Sequence, residues 1–210
     1  MARFLVVLDV DSTLIEHEVI ELLADEAGAL EQVAAITARA MAGELDFARS
    51  LVERVATLEG LDAAALERVS ARVELTRGAE RLVAGIHDAD GVVAVVSGGF
   101  HELVDPLAAR LALDAHRANR LEVVDGRLTG RTAGPVIEAN AKRDALLEWA
   151  DRFDVPLSRT VAIGDGANDL VMMQTAALSI AFDAKPVVRE SAHLSLPERD
   201  LSAVLSVLGL

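Results

Sequence analysis

Residues 3–13 read Arg-Phe-Leu-Val-Val-Leu-Asp-Val-Asp-Ser-Thr. An apolar run of strand length, stopped by an aspartate, predicts a buried strand over Arg3–Leu8 whose carboxyl end delivers Asp9 and Asp11. Residues two apart in an extended segment point the same way, so the two carboxylates are expected on one rim. Alone, D-x-D is also an ordinary way to end a strand and start a turn. Its meaning depends on what else reaches that rim.

Beyond it, Glu18 to Arg72 shows apolar residues at helical spacing, as in Val19, Leu22, Leu23 and later Leu51, Val55, Leu58. This predicts three or four short helices with breaks near Gly28, Gly43 and Gly60. From Gly78 the pattern alternates. Helices are expected at Ala79–Asp88, Phe100–Leu111, Ala141–Phe153 and Asp169–Thr175, with a last one near the C-terminus. Strands are expected at Val92–Val96, Thr160–Ile163 and Leu178–Ala181, and a small β-hairpin over Leu121–Leu128 turns at Asp125-Gly126. Short apolar strands alternating with helices imply an α/β fold: a doubly wound, Rossmann-like parallel sheet covered on both faces. The helical stretch after the first strand then reads as an inserted cap, residues 16–76, over a core made of 1–15 and 77–210. Hinges are expected at Ile15–His17 and Thr76–Gly78. Ligands in such folds bind beyond the carboxyl ends of the strands.

Three strand ends send polar residues to that edge: Asp9 to Thr13, then Ser97-Gly98-Gly99, then Gly164-Asp165-Gly166-Ala167-Asn168-Asp169. Two like charges ~4 Å apart repel by about 4 kcal/mol at an effective dielectric of 20. Carboxylates so crowded need a proton or a cation, and a set of oxygen donors with little else suits Mg²⁺. The glycines let backbone approach a ligand, and free amides at a helix start attract anions. The Gly164 stretch is not a dinucleotide fingerprint, because Asp169 stands where G-x-G-x-x-G needs glycine. Asn140 reads as an N-cap that puts Lys142 in the first turn of its helix. A cation there opposes the helix dipole, a cost that a bound phosphate beside the carboxylates would explain. Lys185, before Pro186, reads as structural or surface. His17, His87, His101, His116 and His193 are scattered, with no pair at a metal-ligand spacing.

Bulk properties narrow the function. The net charge is −14, which leaves few residues for the basic patch that nucleic-acid binding requires. The apolar runs are too short to cross a bilayer. There is no cysteine, so thiol nucleophiles, thiolate metal sites and disulfides are excluded. The N-terminus lacks the apolar region of a secretory signal, and a cytoplasmic location is expected.

These motifs together resemble the haloacid dehalogenase-like phosphatases, and most closely their phosphoserine phosphatase branch. The resemblance runs through D-x-D-S-T, S-G-G, a lone lysine and G-D-G-A-N-D in order. It includes Glu18, A-M-x-G-x-x-x-F over Ala40–Phe47, Ser50-Leu51, Arg54-Val55, Ala118-Asn119-Arg120-Leu121, Ala184-Lys185-Pro186 and Arg199-Asp200-Leu201, and so covers nearly the whole chain. It implies Mg²⁺-dependent hydrolysis of O-phosphoserine through an aspartyl-phosphate, by a monomer or homodimer. It makes Asp9 the nucleophile and Asp11 the acid, then base. It gives Mg²⁺ the Asp9 carboxylate, the Asp11 main-chain oxygen and Asp165, with Asp169 behind the metal's waters. Ser97, Gly98 and Lys142 would hold the phosphoryl oxygens and Asn168 the substrate. In the cap, Glu18 would meet the ammonium and Arg54 the carboxylate, with Met41 and Phe47 closing over the side chain. Many bacterial relatives carry an N-terminal regulatory domain; the first strand starts so soon after Met1 that control through one is not expected. Arg77 departs from the family pattern near the cap's exit.

Two other readings compete. One is the same chemistry on another small phosphomonoester, or transfer of the phosphoryl group to an alcohol, which an acceptor assay separates from hydrolysis. The other is a phospho-accepting signalling receiver, which would have no use for a lid or for an acid at Asp11.

Overall fold

The computed structural model describes residues 2–41 and 44–210, apart from the side chain of Met41. The expected break at Gly43 therefore lies outside the described residues. The chain runs β1 (Leu5–Leu8), α1 (Val19–Glu26), α2 (Leu30–Met41), α3 (Phe47–Ala56), α4 (Ala64–Arg72), α5 (Ala79–Asp88), β2 (Val92–Phe100), α6 (His101–Leu111). It continues β3 (Ala115–Val124), β4 (Arg127–Ala133), α7 (Ala139–Arg152), β5 (Thr160–Gly164), α8 (Leu170–Thr175), β6 (Leu178–Phe182), α9 (Pro186–Ser191), β7 (Leu194–Leu196), α10 (Ala203–Leu208).

The strands form one sheet in the order β4-β3-β2-β1-β5-β6-β7. Every neighbouring pair is parallel except β3 with β4. From β1 the chain builds outward through β2 and β3, then returns past β1 to build β5, β6 and β7 on the other side. This is the doubly wound arrangement expected, and it leaves a crevice at the carboxyl end of β1.

The β1 sequence follows from its place at the sheet centre. Both faces are covered, so Leu5, Val6, Val7 and Leu8 are all fully buried and no polar residue alternates with them. The alternation survives in where they go. Val6 and Leu8 join one core layer with Leu82, Ile86 and Leu103 of α5 and α6. Leu5 and Val7 join the other with Leu146 and Trp149 of α7 and Met172 of α8.

Several boundaries differ from expectation. β1 starts at Leu5 rather than Arg3, and β2 continues to Phe100 with a register irregularity after Val96. Ser97-Gly98-Gly99 thus belongs to the strand's distorted end, not to a turn between strand and helix. The hairpin is longer than expected. Its first strand begins at Ala115 and pairs parallel with β2, so the hairpin is the edge of the main sheet. The turn itself is where the sequence puts it: Asp125 and Gly126 have φ of 49° and 75°, the two left-handed residues of a tight hairpin. β7 was not foreseen. α7 begins at Ala139 with Glu138 at its N-cap, so Asn140 is inside the helix and caps nothing. Lys142 is the fourth helical residue, and its amide makes the first turn's bond to the Glu138 carbonyl at 3.0 Å.

The segments entering and leaving the α1–α4 region run side by side. Ile15 bridges to Leu75, Glu16 N–H reaches Glu74 O at 3.0 Å, and Thr76 N–H reaches Leu14 O at 2.9 Å. The hairpin supports the α3–α4 connection: Gly60 N–H donates to Leu128 O and Ala63 N–H to Gly126 O, both at 2.8 Å. Arg77 pairs with Asp200 at 3.1 Å while its carbonyl accepts Leu201 N–H at 2.8 Å, which ties the exit segment to the C-terminal stretch. With 81% of its side chain exposed, the ion pair itself contributes little to stability. No helix among the described residues is long and apolar enough to cross a membrane.

Leu8→Ala tests the central position of β1. Removing a fully buried leucine from a strand packed on both faces should cost about 2–5 kcal/mol in urea unfolding. A loss under about 1 kcal/mol would contradict this packing.

Candidate active site

The carboxyl end of β1 does not stay extended. Asp9 keeps extended backbone, but the chain then turns on itself: Ser12 has φ 56°, and Ile15 N–H returns to Val10 O at 3.0 Å. The expectation that strand periodicity aligns Asp9 and Asp11 is therefore corrected. The strand's extended end delivers Asp9, and the tight turn after it brings Asp11 to the same rim. It also carries Ser12 and Thr13 into position: Ser12 Oγ donates to Glu18 Oε1 at 2.7 Å and Thr13 Oγ1 to Asp165 Oδ1 at 3.2 Å.

β5 lies beside β1, so the turn after it presents Asp165 and Asp169 to Asp9. One carboxylate oxygen from each of these three lies within 4.8 Å of the other two. Lys142, from α7 beneath, is fully buried, and its ammonium lies 2.7 Å from both Asp9 Oδ1 and Asp169 Oδ1. Asp9 Oδ1 also accepts the Val10 amide at 2.8 Å. Asp169 has both oxygens engaged, the second by Gly166 N–H at 3.1 Å. Asp11 is held separately: Oδ1 accepts Val19 N–H at 2.8 Å, and Oδ2 accepts Ser97 Oγ–H at 2.9 Å. Gly99 N–H in turn donates to Ser97 Oγ at 2.7 Å.

Above this floor is a cavity of about 710 Å³. Asp9, Asp11, Glu18, Arg54, Gly98, Asp165 and Asn168 all reach it. Ser97, Lys142 and Asp169 lie beneath, each fully buried. Phe47 also lines the cavity and packs so closely on Gly98 that a Cβ there would sit 2.7 Å from its ring. Gly98 is therefore fixed by close approach. The Met41 side chain lies outside what is described.

Sequence reasoning sent Thr13 to this rim without naming its partner, and it gave no site role to Lys185, which lines the cavity and whose amide donates to Asp165 O at 3.1 Å. Lys185 is exposed, as its reading as structural or surface expects, and its place on the cavity wall adds to that reading. The available signal was its position just past β6, whose carboxyl end opens on the same rim.

The electrostatics reflect a shortage of positive charge. Burial, followed by the Asp169 charge, raises Asp9 well above the usual carboxylate range, although Lys142 opposes this. Burial and then Asp169 push Asp165 up to about 6. Burial raises Asp11 despite the bonds from Val19 and Ser97. Glu18 is accessible through the cavity mouth, yet the surrounding walls and the Asp11 charge push it up to about 7. Burial would lower Lys142, but Asp169 and Asp9 outweigh it and hold the ammonium above its ordinary value. Arg54 is half-buried, and burial lowers it despite Glu18 and Asp11 nearby. It has no ion pair among the described residues; its Nε donates to Ser50 O at 3.3 Å. One buried ammonium cannot balance three carboxylates, and hard oxygen donors at this spacing fit a small dication.

A family model for haloacid dehalogenase-like hydrolases matches residues 6–174. The chain belongs to the haloacid dehalogenase-like hydrolases. Within them it is 53% identical over 209 residues to a phosphoserine phosphatase of Streptomyces coelicolor, covering 100% of this chain and 51% of that protein. It is 50% identical over 204 residues to a phosphoserine phosphatase of Streptococcus thermophilus, covering 97% of this chain and 95% of the relative. The chain thus spans about half the length of the first and nearly all of the second. A solved structure described as a phospho-aspartyl intermediate analogue of phosphoserine phosphatase superposes with a TM-score of 0.93 at 42% identity, covering 99% of both chains. Fold and sequence both place the chain within this hydrolase family.

The Asp165 carboxyl gives a signed prediction. Its folded value, about 6, lies above the ordinary 3.8, so without a cation the protein loses stability as pH rises from about 4 through 6. A bound dication removes that loss. Mg²⁺ should raise the thermal unfolding midpoint at pH 8, with about 2.7 kcal/mol of stabilisation at a concentration of 100 Kd. The rise should shrink markedly at pH 5; an equal rise at both values would contradict the linkage.

Proposed function

We propose that this chain hydrolyses O-phosphoserine to serine and phosphate, with Mg²⁺ at the acidic rim and the phosphoryl group carried transiently on Asp9. The observation that carries the reading is the convergence of Asp9, Asp165 and Asp169, the first and last of them paired to one buried lysine, beneath a cavity that Glu18 and Arg54 also enter. The names of the relatives support the same substrate. In this reading residues 16–76 act as a cap over a core of 1–15 and 77–210.

Mg²⁺ would be held by the Asp9 carboxylate, the Asp11 main-chain oxygen and Asp165, with Asp169 behind its waters; it would supply charge neutralisation for the phosphoryl oxygens. The residues of the chain do the rest. Asp9 Oδ1 is occupied by Val10 N–H and Lys142, which leaves Oδ2 as the oxygen that attacks phosphorus. As the bond from Oδ2 to phosphorus forms, the bond from phosphorus to the seryl oxygen breaks. Asp11 gives its proton to that oxygen, and serine leaves. Asp11, now ionised, takes a proton from water as the water oxygen attacks phosphorus. The Asp9–phosphorus bond breaks, and phosphate and free Asp9 are restored.

Burial raises Asp11 toward the protonated state that the first step requires. An Asp11 that carries its proton for the seryl oxygen is a weaker acceptor than the carboxylate, which frees the Ser97 O–H, now on Asp11 Oδ2, to turn toward a phosphoryl oxygen. Gly98 N–H and the ammonium of Lys142 complete the grip, and Asn168 orients the substrate. Little covalent assistance is needed beyond nucleophile and acid; most of the task is positioning and charge neutralisation.

The substrate's zwitterion explains the cap residues. A guanidinium pairs with a carboxylate and a carboxylate with an ammonium, so Arg54 and Glu18 read opposite ends of the serine moiety. Phe47, which lines the cavity, closes over the short side chain.

Asp9→Asn should abolish phosphate release at saturating Mg²⁺ while leaving the circular dichroism spectrum unchanged; retained turnover rejects the nucleophile assignment. Arg54→Ala should lower kcat/KM for O-phosphoserine by about 2–4 kcal/mol, roughly 30- to 900-fold. It should barely change phosphoethanolamine, which lacks the carboxylate. Equal losses on both substrates would remove Arg54 from substrate recognition.

A further inference from the structure

Away from the phosphate cavity, a second group of ligating side chains converges where α6 meets β3. His101 opens α6, Asp105 lies one turn later, and His116 is on β3. The sequence showed no ligand spacing among the histidines; the packing of helix against strand creates one. His101 Nδ1 lies 2.6 Å from Asp105 Oδ1, and His116 Nε2 lies 3.0 Å from the same oxygen. One ligand atom from each residue falls within 4.8 Å of the other two. The rings meet edge to face with centroids 5.6 Å apart. All three side chains can be reached from solvent, with exposures of 21% for His101, 45% for Asp105 and 32% for His116.

We propose that His101, Asp105 and His116 form a second metal site, distinct from the acidic rim, that takes a borderline divalent cation such as Zn²⁺. The donor chemistry separates the two sites. The rim offers only oxygens and suits a hard ion, whereas two imidazoles and one carboxylate suit zinc and its neighbours, with solvent completing the coordination. Local charge permits this. Arg120 lies 3.8 Å from Asp105 Oδ2 and 3.6 Å from Glu102 Oε1, so it is shared between two carboxylates on the far side of the oxygen that the rings approach.

The distances are those of hydrogen bonds, so a metal replaces the two ring protons that now point at Asp105. Each ring must then carry its proton on the other nitrogen. For His116 that is Nδ1, which has no hydrogen-bond partner among the described residues. For His101 it is Nε2, which now accepts the Ala118 amide at 3.2 Å. Binding therefore gives up that one long bond. Asn119, the next residue, bonds Gly98 O at 2.8 Å through its side chain, so the strand that yields is the one bracing the end of β2.

The test uses the full chain with Mg²⁺ in large excess to fill the acidic rim. Zn²⁺ binding is measured by calorimetry and Co²⁺ binding by its visible absorption. About one Zn²⁺ per chain should bind, and Co²⁺ should show the intense bands of a four- or five-coordinate ion. His101→Gln, His116→Gln and Asp105→Asn should each weaken binding roughly tenfold or more, since even outer-shell partners of a metal matter that much. Asp165→Asn should leave it unchanged. Should a variant fail to fold, the wild-type histidine NMR signals give the same answer: Zn²⁺ shifts His101 and His116 and leaves His17, His87 and His193 in place. Binding that survives the histidine variants, binding lost with Asp165→Asn, or unshifted His101 and His116 signals overturns the proposal.

Discussion

The Lys142 ammonium, buried between Asp9 and Asp169, is the contact on which the site depends. Three carboxylates lie close together at the centre of the sheet's edge, where water cannot screen them well. Each added negative charge raises the cost of the next. One lysine offsets part of this and also fixes which Asp9 oxygen is occupied. The remaining charge is what a dication and a phosphate would balance between them. A net charge of −14 sharpens the point, because the general field of the protein repels an anionic substrate and only local cations can reverse it.

Topology makes the crowding possible. β1 and β5 are neighbours in the sheet although far apart in the chain, so their ends present Asp9 and Asp165 side by side. α7 covers the sheet face below and lifts Lys142 into the gap. β2, on the other flank of β1, ends in the distorted Ser97–Gly99 segment, and Ser97 ties Asp11 in place. The helices inserted after β1 supply Glu18, Phe47 and Arg54 to the cavity from the opposite side. In the proposed function, chemistry from the sheet edge and recognition from the inserted helices meet in this one cavity.

Much of this was legible in the chain. Leu5–Leu8 is buried on both faces, which leaves an uninterrupted apolar run that stops abruptly at an aspartate. The helical periods of the insertion and the alternation after Gly78 gave the fold class. What failed did so for physical reasons. β3 begins with Ala115-His116-Arg117, and an edge-side strand with polar residues on one face carries no apolar run to find. β7 has three residues and lies at the sheet edge. The turn that orients Asp11 depends on a left-handed Ser12, which no spacing rule reveals. Lys142 was singled out through a mistaken cap at Asn140. Its importance rests on burial, which sequence shows only indirectly. The His101–His116 pair becomes meaningful only when the packing of α6 against β3 is known.

The most direct measurement of the central claim is anomalous scattering from crystals grown with Mn²⁺, which substitutes for Mg²⁺ at oxygen sites. The account predicts a strong peak bridging the carboxylates of Asp9 and Asp165, with Lys142 still against Asp169. Density absent from that rim, or an ion bound by Asp165 with Asp9 turned away from it, would contradict it.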